Sequence, residues 1–181
     1  MTRRRKVTAV HKQNVLKISD ALFLREVRKV ALEFPEVQLE ELIVDATAAI
    51  LVRDPMRFDV IVTGNMFGDI LSDEASELSG SLGLAGSTNA GDDLCVAQAQ
   101  HGSAPDIAGQ DRANPTSLIL SAAMLFDWLG RRHGSHALCD AASRIEAAID
   151  SALGDAATRT RDLGGSLGTH AFAQTVAQRL E

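Results

Sequence analysis

Short apolar runs alternate with helical patterns of polar and apolar residues along the first half of the chain. Strands are predicted at Val7 to Val10, Val37 to Val44 and Phe58 to Thr63, where β-branched and apolar residues cluster. Helices are predicted from an N-cap at Ser19 to about Phe34, and from Ala46 to Arg53. This alternation with short connections is typical of a parallel or mixed sheet flanked by helices, so we expect an α/β fold.

The second half begins differently, because glycine, serine and asparagine interrupt the apolar positions. We expect a loop-rich domain crossing or a ligand-facing turn over residues 75–95. Three helices are predicted after it, one from an N-cap at Asn114 with Pro115 at N1 to Gly130, one over residues 135–153, and one from Thr169 to Leu180.

Apolar residues at helical spacing mark the face of each helix that we expect to be buried. For the helix after Ser19 they are Leu22, Phe23, Val27, Val30, Ala31 and Phe34. For the three later helices they are Leu118, Ala122, Leu125 and Leu129, then Leu138, Ala141, Ile145, Ala148, Ile149 and Ala152, and finally Phe172, Val176 and Leu180.

A pair of acidic residues follows the third predicted strand. The chain turns at Gly64-Asn65 and continues as a helix, on which Asp69 and Asp73 are four residues apart and share one face. Like charges in this register repel by a few tenths of a kcal/mol, roughly, and a hard divalent cation could compensate. From these residues alone, a metal site and a solvated acidic face remain equally open.

Other polar residues follow the first two strands, where ligands collect in open α/β sheets. Lys12 and Asn14 come directly after the first strand, and Asp45 comes at the end of the second. Lys12 could equally be a surface lysine, and Asp45 could be a simple N-cap. Farther along, the segment from His101 to Gly109 is rich in glycine and small residues, so a ligand could approach its backbone closely.

Composition narrows the function classes. The net charge of -6 argues against a nucleic-acid partner. No apolar run approaches the ~20 residues that span a bilayer. The basic start from Arg3 to Lys6 is not followed by the apolar core of a signal peptide. Cys95 and Cys139 lack metal-ligand spacing, and we expect both to be reduced thiols of a cytoplasmic protein.

Several segments, in this order, resemble the β-decarboxylating dehydrogenases. This family includes the isopropylmalate, isocitrate, homoisocitrate, tartrate and D-malate dehydrogenases, and the chain is most similar to the first. The matching segments cover nearly the whole chain: Val7 to Leu16, Val44-Asp45, Asn65 to Glu74, His101 to Gly109 with Ala113-Asn114-Pro115, and Asp162 to Gly165. Gln98-Ala99-Gln100 departs from the family, whose members commonly carry Glu-Pro-Val there.

The resemblance implies a reaction and a set of residues. A 2-hydroxy acid of the malate type, with 3-isopropylmalate favoured, would be oxidised by NAD and decarboxylated with Mg2+ or Mn2+. Asp69 and Asp73 would hold the metal, and Asp45 would add a third carboxylate from a neighbouring subunit. Lys12 would reach across the same dimer and act in proton transfer, so Lys12 and Asp45 are the expected catalytic residues.

The resemblance also implies the cofactor site. The expected cofactor-binding residues are Asn14, Asn65, His101, Gly102, Ser103, Ala104, Asp106, Ile107 and Asn114. Asp106 matches the carboxylate that accepts hydrogen bonds from the adenosine ribose in the family. Such a carboxylate repels a 2′-phosphate, which favours NAD over NADP.

The chain matches only the carboxyl-terminal half of a family member. Residues 1–75 would belong to the smaller substrate and dimerisation domain, and residues 76–181 to the larger cofactor-binding domain. We expect an incomplete sheet and a chain that is unstable alone, that forms a homodimer with a shared site, or that needs a partner supplying the other half. An inactive nucleotide-binding or regulatory subunit and a plain scaffold module are the alternative hypotheses.

Overall fold

The computed structural model describes residues 4–180, so Arg3 of the basic start lies outside the described residues. The chain divides into two compact units, of which the first ends at Leu78 and the second begins at Ser79. Cys95 and Cys139 are both free thiols. None of the helices within residues 4–180 is long and apolar enough to cross a membrane.

The first unit is a three-stranded parallel sheet with helices. In chain order its elements are β1 (Lys6–His11), α1 (Ser19–Ala31), β2 (Gln38–Ile43), α2 (Val44–Arg53), β3 (Val60–Thr63) and α3 (Asn65–Leu78). β1 lies in the centre, and both neighbours run parallel to it, with His11 beside Ile43 and Val10 beside Thr63. The predicted strands, the alternation and the parallel sheet are therefore confirmed, although β3 begins two residues later than expected.

Helix α1 differs from its prediction at both ends and in its buried face. It ends at Ala31 rather than near Phe34, and Ser19 is its first residue rather than a capping residue. Leu24 is fully buried, whereas Leu22, Val30 and Phe34 of the expected stripe are about half exposed. The prediction was wrong for these three residues, whereas Phe23, Val27 and Ala31 are partly buried. The helix packs mainly on the single strand β1.

The second unit combines a β-hairpin with three helices. Its elements are β4 (Gly86–Ala90), β5 (Cys95–Ala99), α4 (Thr116–His133), α5 (His136–Gly154) and α6 (Thr169–Gln178). β4 and β5 pair antiparallel. β4 lies within residues 75–95, which were expected to be rich in loops, and β5 begins at the end of that region. The prediction missed this hairpin because its strands are built from small and polar residues rather than from apolar runs.

The buried face of α4 is small and polar rather than leucine-rich. Leu118 is 56% exposed, and the buried residues are Thr116, Ser117, Ser121, Ala123 and Gly130. Ser121 Oγ accepts a hydrogen bond from Ser87 N at 2.9 Å and donates to Gln98 O at 2.7 Å. The prediction was therefore wrong for Leu118, whereas Ala122, Leu125 and Leu129 are partly buried. The fully buried side of α4 instead forms hydrogen bonds with the hairpin backbone through its serines.

The end of α4 also differs from expectation, because Gly130 does not terminate the helix. Gly130 lies inside the helix, where an added Cβ would come within 2.6 Å of Cys139 Sγ. The helix ends instead at Gly134, whose φ of 64° is the left-handed conformation that glycine adopts readily. Close packing of α4 against α5 therefore explains Gly130.

The hydrophobic core of the second unit lies between α5 and α6. Its buried members are Ala148, Ile149, Ala152, Phe172 and Val176. All five were predicted from helical spacing, and burial of residues of this size typically stabilises a fold by about 1.5–3 kcal/mol for each large side chain. Leu180 also packs against this core, although α6 ends before it.

Candidate functional site

The first candidate site lies at the carboxyl edge of the parallel sheet. Lys12 follows β1, Asp45 follows β2 in the first turn of α2, and Asn65 follows β3 as the first residue of α3. The carboxyl ends of parallel strands meet at one edge, which is where open α/β sheets bind ligands. The order of the strands therefore gathers these three predicted residues at the same edge.

Lys12 and Asp45 form an ion pair at this edge, from Nζ to Oδ1. The side chain of Lys12 is 27% exposed and that of Asp45 is 60% exposed. The hydrogen bond from Lys12 lowers the pKa of Asp45 below its ordinary value. Asp45 is not the N-cap of α2, because Ile43 holds that position and no side chain caps the helix.

The turn after β1 holds Asn14 beside an open cleft. The backbone oxygen of Lys12 accepts hydrogen bonds from Val15 N and Leu16 N, both at 2.8 Å. The cleft has a volume of about 560 Å³. It is lined by His11, Gln13, Asn14, Lys17 and Ile43. The structure thus places one predicted cofactor residue, Asn14, next to the turn that carries Lys12.

The two aspartates of α3 are exposed on the helix, one turn apart. Asn65 Nδ2 lies 3.4 Å from Asp69 Oδ2. Within residues 4–180, no group of three or more histidine, cysteine or acidic side chains is close enough to hold a metal ion. Asp45, Asp69 and Asp73 are therefore not brought together as a three-carboxylate site in one chain, and their role as metal ligands stays a prediction.

A second cleft, of about 600 Å³, lies in the second unit. Six predicted cofactor residues line it: His101, Gly102, Ser103, Ala104, Ile107 and Asn114. Asp106 is exposed and is not among the lining residues. Ala104 has a φ of 40°, a conformation that is strained for a residue with a Cβ and that often marks functional loops.

Asn114 is held by a carboxylate that sequence reasoning did not select. Its Oδ1 accepts a hydrogen bond from Thr116 N at 3.0 Å, and its Nδ2 donates to Asp162 Oδ2 at 2.9 Å. Ser81 Oγ donates to the same oxygen at 2.6 Å. Burial acts to raise the pKa of Asp162, but these hydrogen bonds outweigh it and the net shift is downward. In the sequence, Asp162 was noted only as part of the segment from Asp162 to Gly165 that resembles the family.

A second pair that the sequence did not predict, Asp111 and His170, connects the loop before α4 to α6. Asp111 Oδ1 accepts a hydrogen bond from His170 N at 2.9 Å and lies 2.7 Å from the His170 ring Nδ1. These contacts lower the pKa of Asp111. Gly168 fits closely beside them, because a Cβ there would lie 2.2 Å from Asp111 Oδ2. Asp111 and His170 both line the cleft, so this pair fixes one of its walls.

Known proteins match the chain closely. The model of the isocitrate/isopropylmalate dehydrogenase family matches residues 1–178. The isocitrate/homoisocitrate dehydrogenase of Thermus thermophilus is 49% identical over 178 residues, covering 98% of this chain and 51% of that protein. The 3-isopropylmalate dehydrogenase of Methanothermobacter thermautotrophicus is 46% identical, and the match covers 97% of this chain and 51% of that protein.

Solved structures show the same relationship. A crystal structure of isocitrate dehydrogenase from Methylococcus capsulatus matches with a TM-score of 0.91 and 44% identity. That match covers 98% of this chain and 51% of the other. The chain thus spans about half the length of the relatives that it matches.

Proposed function

Since the chain belongs to the isocitrate/isopropylmalate dehydrogenase family, we propose that it supplies the carboxyl-terminal half of a decarboxylating dehydrogenase. The reaction is NAD-dependent oxidation and decarboxylation of a 2-hydroxy acid of the malate type. The observation that carries this proposal is the ion pair of Lys12 with Asp45 at the carboxyl edge of the sheet. It joins the two residues for which the resemblance implies a catalytic role.

Lys12 is suited to proton transfer in this reaction. Its ammonium group is partly buried and is oriented by the Asp45 carboxylate, while its backbone N–H donates to Asp20 Oδ2 at 2.6 Å. A positioned lysine beside a ligand can exchange a proton with a substrate oxygen or carbon. We assign Lys12 this role and Asp45 the role of holding it until a metal and substrate bind.

The donor set fits a hard divalent cation such as Mg2+ or Mn2+. Asp69 and Asp73 present two carboxylates from one helical face, and oxygen ligands are the preference of both ions. A cation held there supplies Lewis-acid stabilisation of negative charge on a substrate oxygen. Since one chain does not gather three acids, we propose that Asp45 of a second copy completes the set.

The cleft of the second unit is the proposed NAD site. Its loop, from His101 to Ile107, offers backbone groups without bulky side chains. Asp106 lies next to the lining residue Ile107, so a ribose at the edge of the cleft could reach its carboxylate. A negative charge there disfavours a 2′-phosphate, and this supports NAD over NADP.

An exposed apolar face on α3 supports a homodimer. Met66 and Ile70 are 61% and 60% exposed, and their spacing of four residues places them on one side of the helix. A second copy of α3 would bury this face and bring two chains together beside Asp69 and Asp73. We therefore propose a homodimer whose active site uses residues of both copies.

The experiment combines this chain with the amino-terminal half of the Thermus thermophilus relative. NAD reduction is followed at about 340 nm, where the reduced nicotinamide absorbs. We call this mixture the assembled enzyme. 3-Isopropylmalate is tested first, and isocitrate, homoisocitrate, tartrate and D-malate are tested beside it. Activity that requires Mg2+ or Mn2+ and falls to a low but measurable residual rate with Lys12→Ala is the expected result.

Two other outcomes overturn the proposal. Nucleotide binding by this chain without turnover of any substrate would favour the regulatory subunit. Absence of binding of both NAD and Mn2+, measured by calorimetry at millimolar concentration, would favour the scaffold module. Lys29→Ala, an exposed lysine in the last turn of α1, is the matched control and should leave the rate unchanged.

A further inference from the structure

His11 is a buried polar side chain for which the reaction gives no role. It ends β1, the central strand of the sheet, and only 9% of the residue is exposed. A polar group in such a place costs free energy unless it is hydrogen-bonded. Its ring Nδ1 accepts a hydrogen bond from Gln13 N at 3.1 Å.

This hydrogen bond determines the tautomer of the ring. A backbone N–H can only donate, so Nδ1 of His11 must be unprotonated and present its lone pair to Gln13. The ring is then neutral, and its single proton is on Nε2. Protonated His11 would direct an N–H at the N–H of Gln13, and the turn would lose this contact.

The charged groups around the ring are compatible with a neutral His11. Glu41 of β2 lies on the same side of the sheet, since Ala9 pairs with Glu41 and His11 pairs with Ile43. Arg28 of α1 is the main partner of Glu41, through two hydrogen bonds of 2.7 and 2.6 Å, and His11 makes the smallest of the contributions that lower the pKa of Glu41.

The bond closes the turn that carries Lys12. His11 and Gln13 are the two neighbours of Lys12, so a bond between them fixes the backbone from which the lysine side chain leaves. The long lysine side chain is flexible, and its direction depends on that backbone. We propose that His11 is a positioning residue, whose neutral Nδ1 holds the turn that directs Lys12 Nζ to Asp45, an inference that rests on the proposed role of Lys12.

The first test uses the 181-residue chain and needs no activity. Nitrogen NMR of the histidine rings should show His11 as the neutral form with Nδ1 unprotonated at pH 7. The Gln13 amide should exchange with water more slowly than an unprotected amide, and the Lys12 ammonium group should exchange more slowly than the Lys29 ammonium group. A protonated Nδ1, or a Gln13 amide that exchanges at the rate of an unprotected amide, overturns the proposal.

Two variants separate the acceptor from the ring. His11→Asn keeps an acceptor near the position of Nδ1, whereas His11→Phe keeps a ring of similar size without an acceptor. His11→Phe should speed exchange at Gln13 and Lys12 by about tenfold, the scale of one lost hydrogen bond, and His11→Asn should restore most of the protection. Equal loss in both variants, with circular dichroism showing both folded, would mean that the ring acts only by packing.

A double-mutant cycle in the assembled enzyme tests the link to Lys12. His11→Phe should lower kcat about fivefold to tenfold with little change in KM, and it should have no further effect once Lys12→Ala is present. Additive losses would overturn a role through Lys12. If Lys12→Ala alone leaves the rate unchanged, the proposed function fails while the exchange measurements on His11 still stand by themselves.

Discussion

Lys12 and Asp45 are 33 residues apart in sequence, yet their side chains form an ion pair. Each follows a strand of the same parallel sheet, and the two strands are adjacent. The pair lowers the pKa of Asp45, with the hydrogen bond from Lys12 as the largest cause. The carboxylate is therefore kept charged and available at the pH at which a metal would bind.

The first prediction concerns this pair. Lys12→Ala should raise the pKa of Asp45 toward its ordinary value, because its principal hydrogen-bond donor is lost. Carbon NMR of the aspartate carboxyl groups measures this directly. The melting temperature should change little, since exposed ion pairs typically contribute about 0–1 kcal/mol. Lys12→Arg, which keeps the charge, should leave Asp45 with a lowered pKa. An ordinary pKa for Asp45 in the native chain would contradict the effect of the ion pair.

The second prediction concerns the acidic pair of α3. Asp69→Asn and Asp73→Asn should each weaken Mn2+ binding by at least tenfold, because each removes one charged oxygen ligand. Calorimetry on the self-associated chain measures the affinity. Asp140→Asn, a substitution of an exposed aspartate on α5, is the control and should bind as the native chain does. Equal affinity in all three variants would leave α3 as a solvated acidic face.

The sequence predicted those elements whose signal is local. Phe172 and Val176 on α6, and the strands around Val7 to Val10 and Val60, follow from apolar spacing, and the structure confirms them. The hairpin of β4 and β5 could not be predicted in this way. Its strands are stabilised by Ser117 and Ser121 of a distant helix, and that contact leaves no periodic pattern in either segment.

The same difference between local and long-range signals applies to the residues of the candidate site. The residues selected by resemblance lie in contiguous motifs, and six of them indeed line one cleft. Asp111, Asp162 and His170 were missed because their partners are 48 to 81 residues away, so only the fold reveals their contacts. Asp162 shows the difference well, since its hydrogen bonds to Ser81 and Asn114 join three separate loops.

The third prediction concerns pH and the stability of the first unit. Hydrogen bonds from Arg57 and then Lys6 lower the pKa of Glu40 from 4.5 to about 2. Because this pKa is lower in the folded state, the stabilisation that Glu40 gains from Arg57 and Lys6 is complete above pH 4.5 and is lost as the pH falls through about 2. Glu40→Gln should remove about 1–2 kcal/mol at pH 7, after allowance for solvent screening at the exposed Arg57.

Denaturant titrations at pH 7 and pH 3 measure this effect. The native chain should lose stability between the two values, and Glu40→Gln should lose less. Glu36→Gln, an exposed glutamate before β2, is the matched control and should reproduce the native pH dependence. Identical pH dependence in Glu40→Gln and the native chain would contradict the role of Glu40.

The fourth prediction concerns Asn114 at the cleft of the second unit, which we propose as the NAD site. Asn114→Ala should destabilise the second unit by about 1–2 kcal/mol, because it leaves Thr116 N at the start of α4 without its acceptor. Asn114→Asp keeps that acceptor but replaces the donor to Asp162 with a second carboxylate. Its stability should therefore improve as the pH is lowered toward 4, whereas that of Asn114→Ala should not. Thermal melts at pH 7 and pH 4 distinguish the two, and both variants should bind NAD more weakly.

The fifth prediction concerns the close contact of Gly168 with Asp111. Gly168 has a φ of -84°, so an alanine there would not strain the backbone, and any effect must be steric. The added Cβ would lie 2.2 Å from Asp111 Oδ2 and 2.7 Å from Asp111 O. Gly168→Ala should therefore displace Asp111 from His170 N, destabilise the second unit by about 1–3 kcal/mol and weaken NAD binding.

Gly154→Ala is the matched control for this contact. Gly154 is the last residue of α5, and an added Cβ there meets nothing within 4 Å. This substitution should be neutral or stabilise the chain by about 0.4–1 kcal/mol, because alanine restricts the unfolded state. If both variants melt at the same temperature and bind NAD equally, the contact between Gly168 and Asp111 does not support the cleft. A loss confined to Gly168→Ala shows that the contact of Asp111 with the start of α6 supports the cleft that we propose as the NAD site.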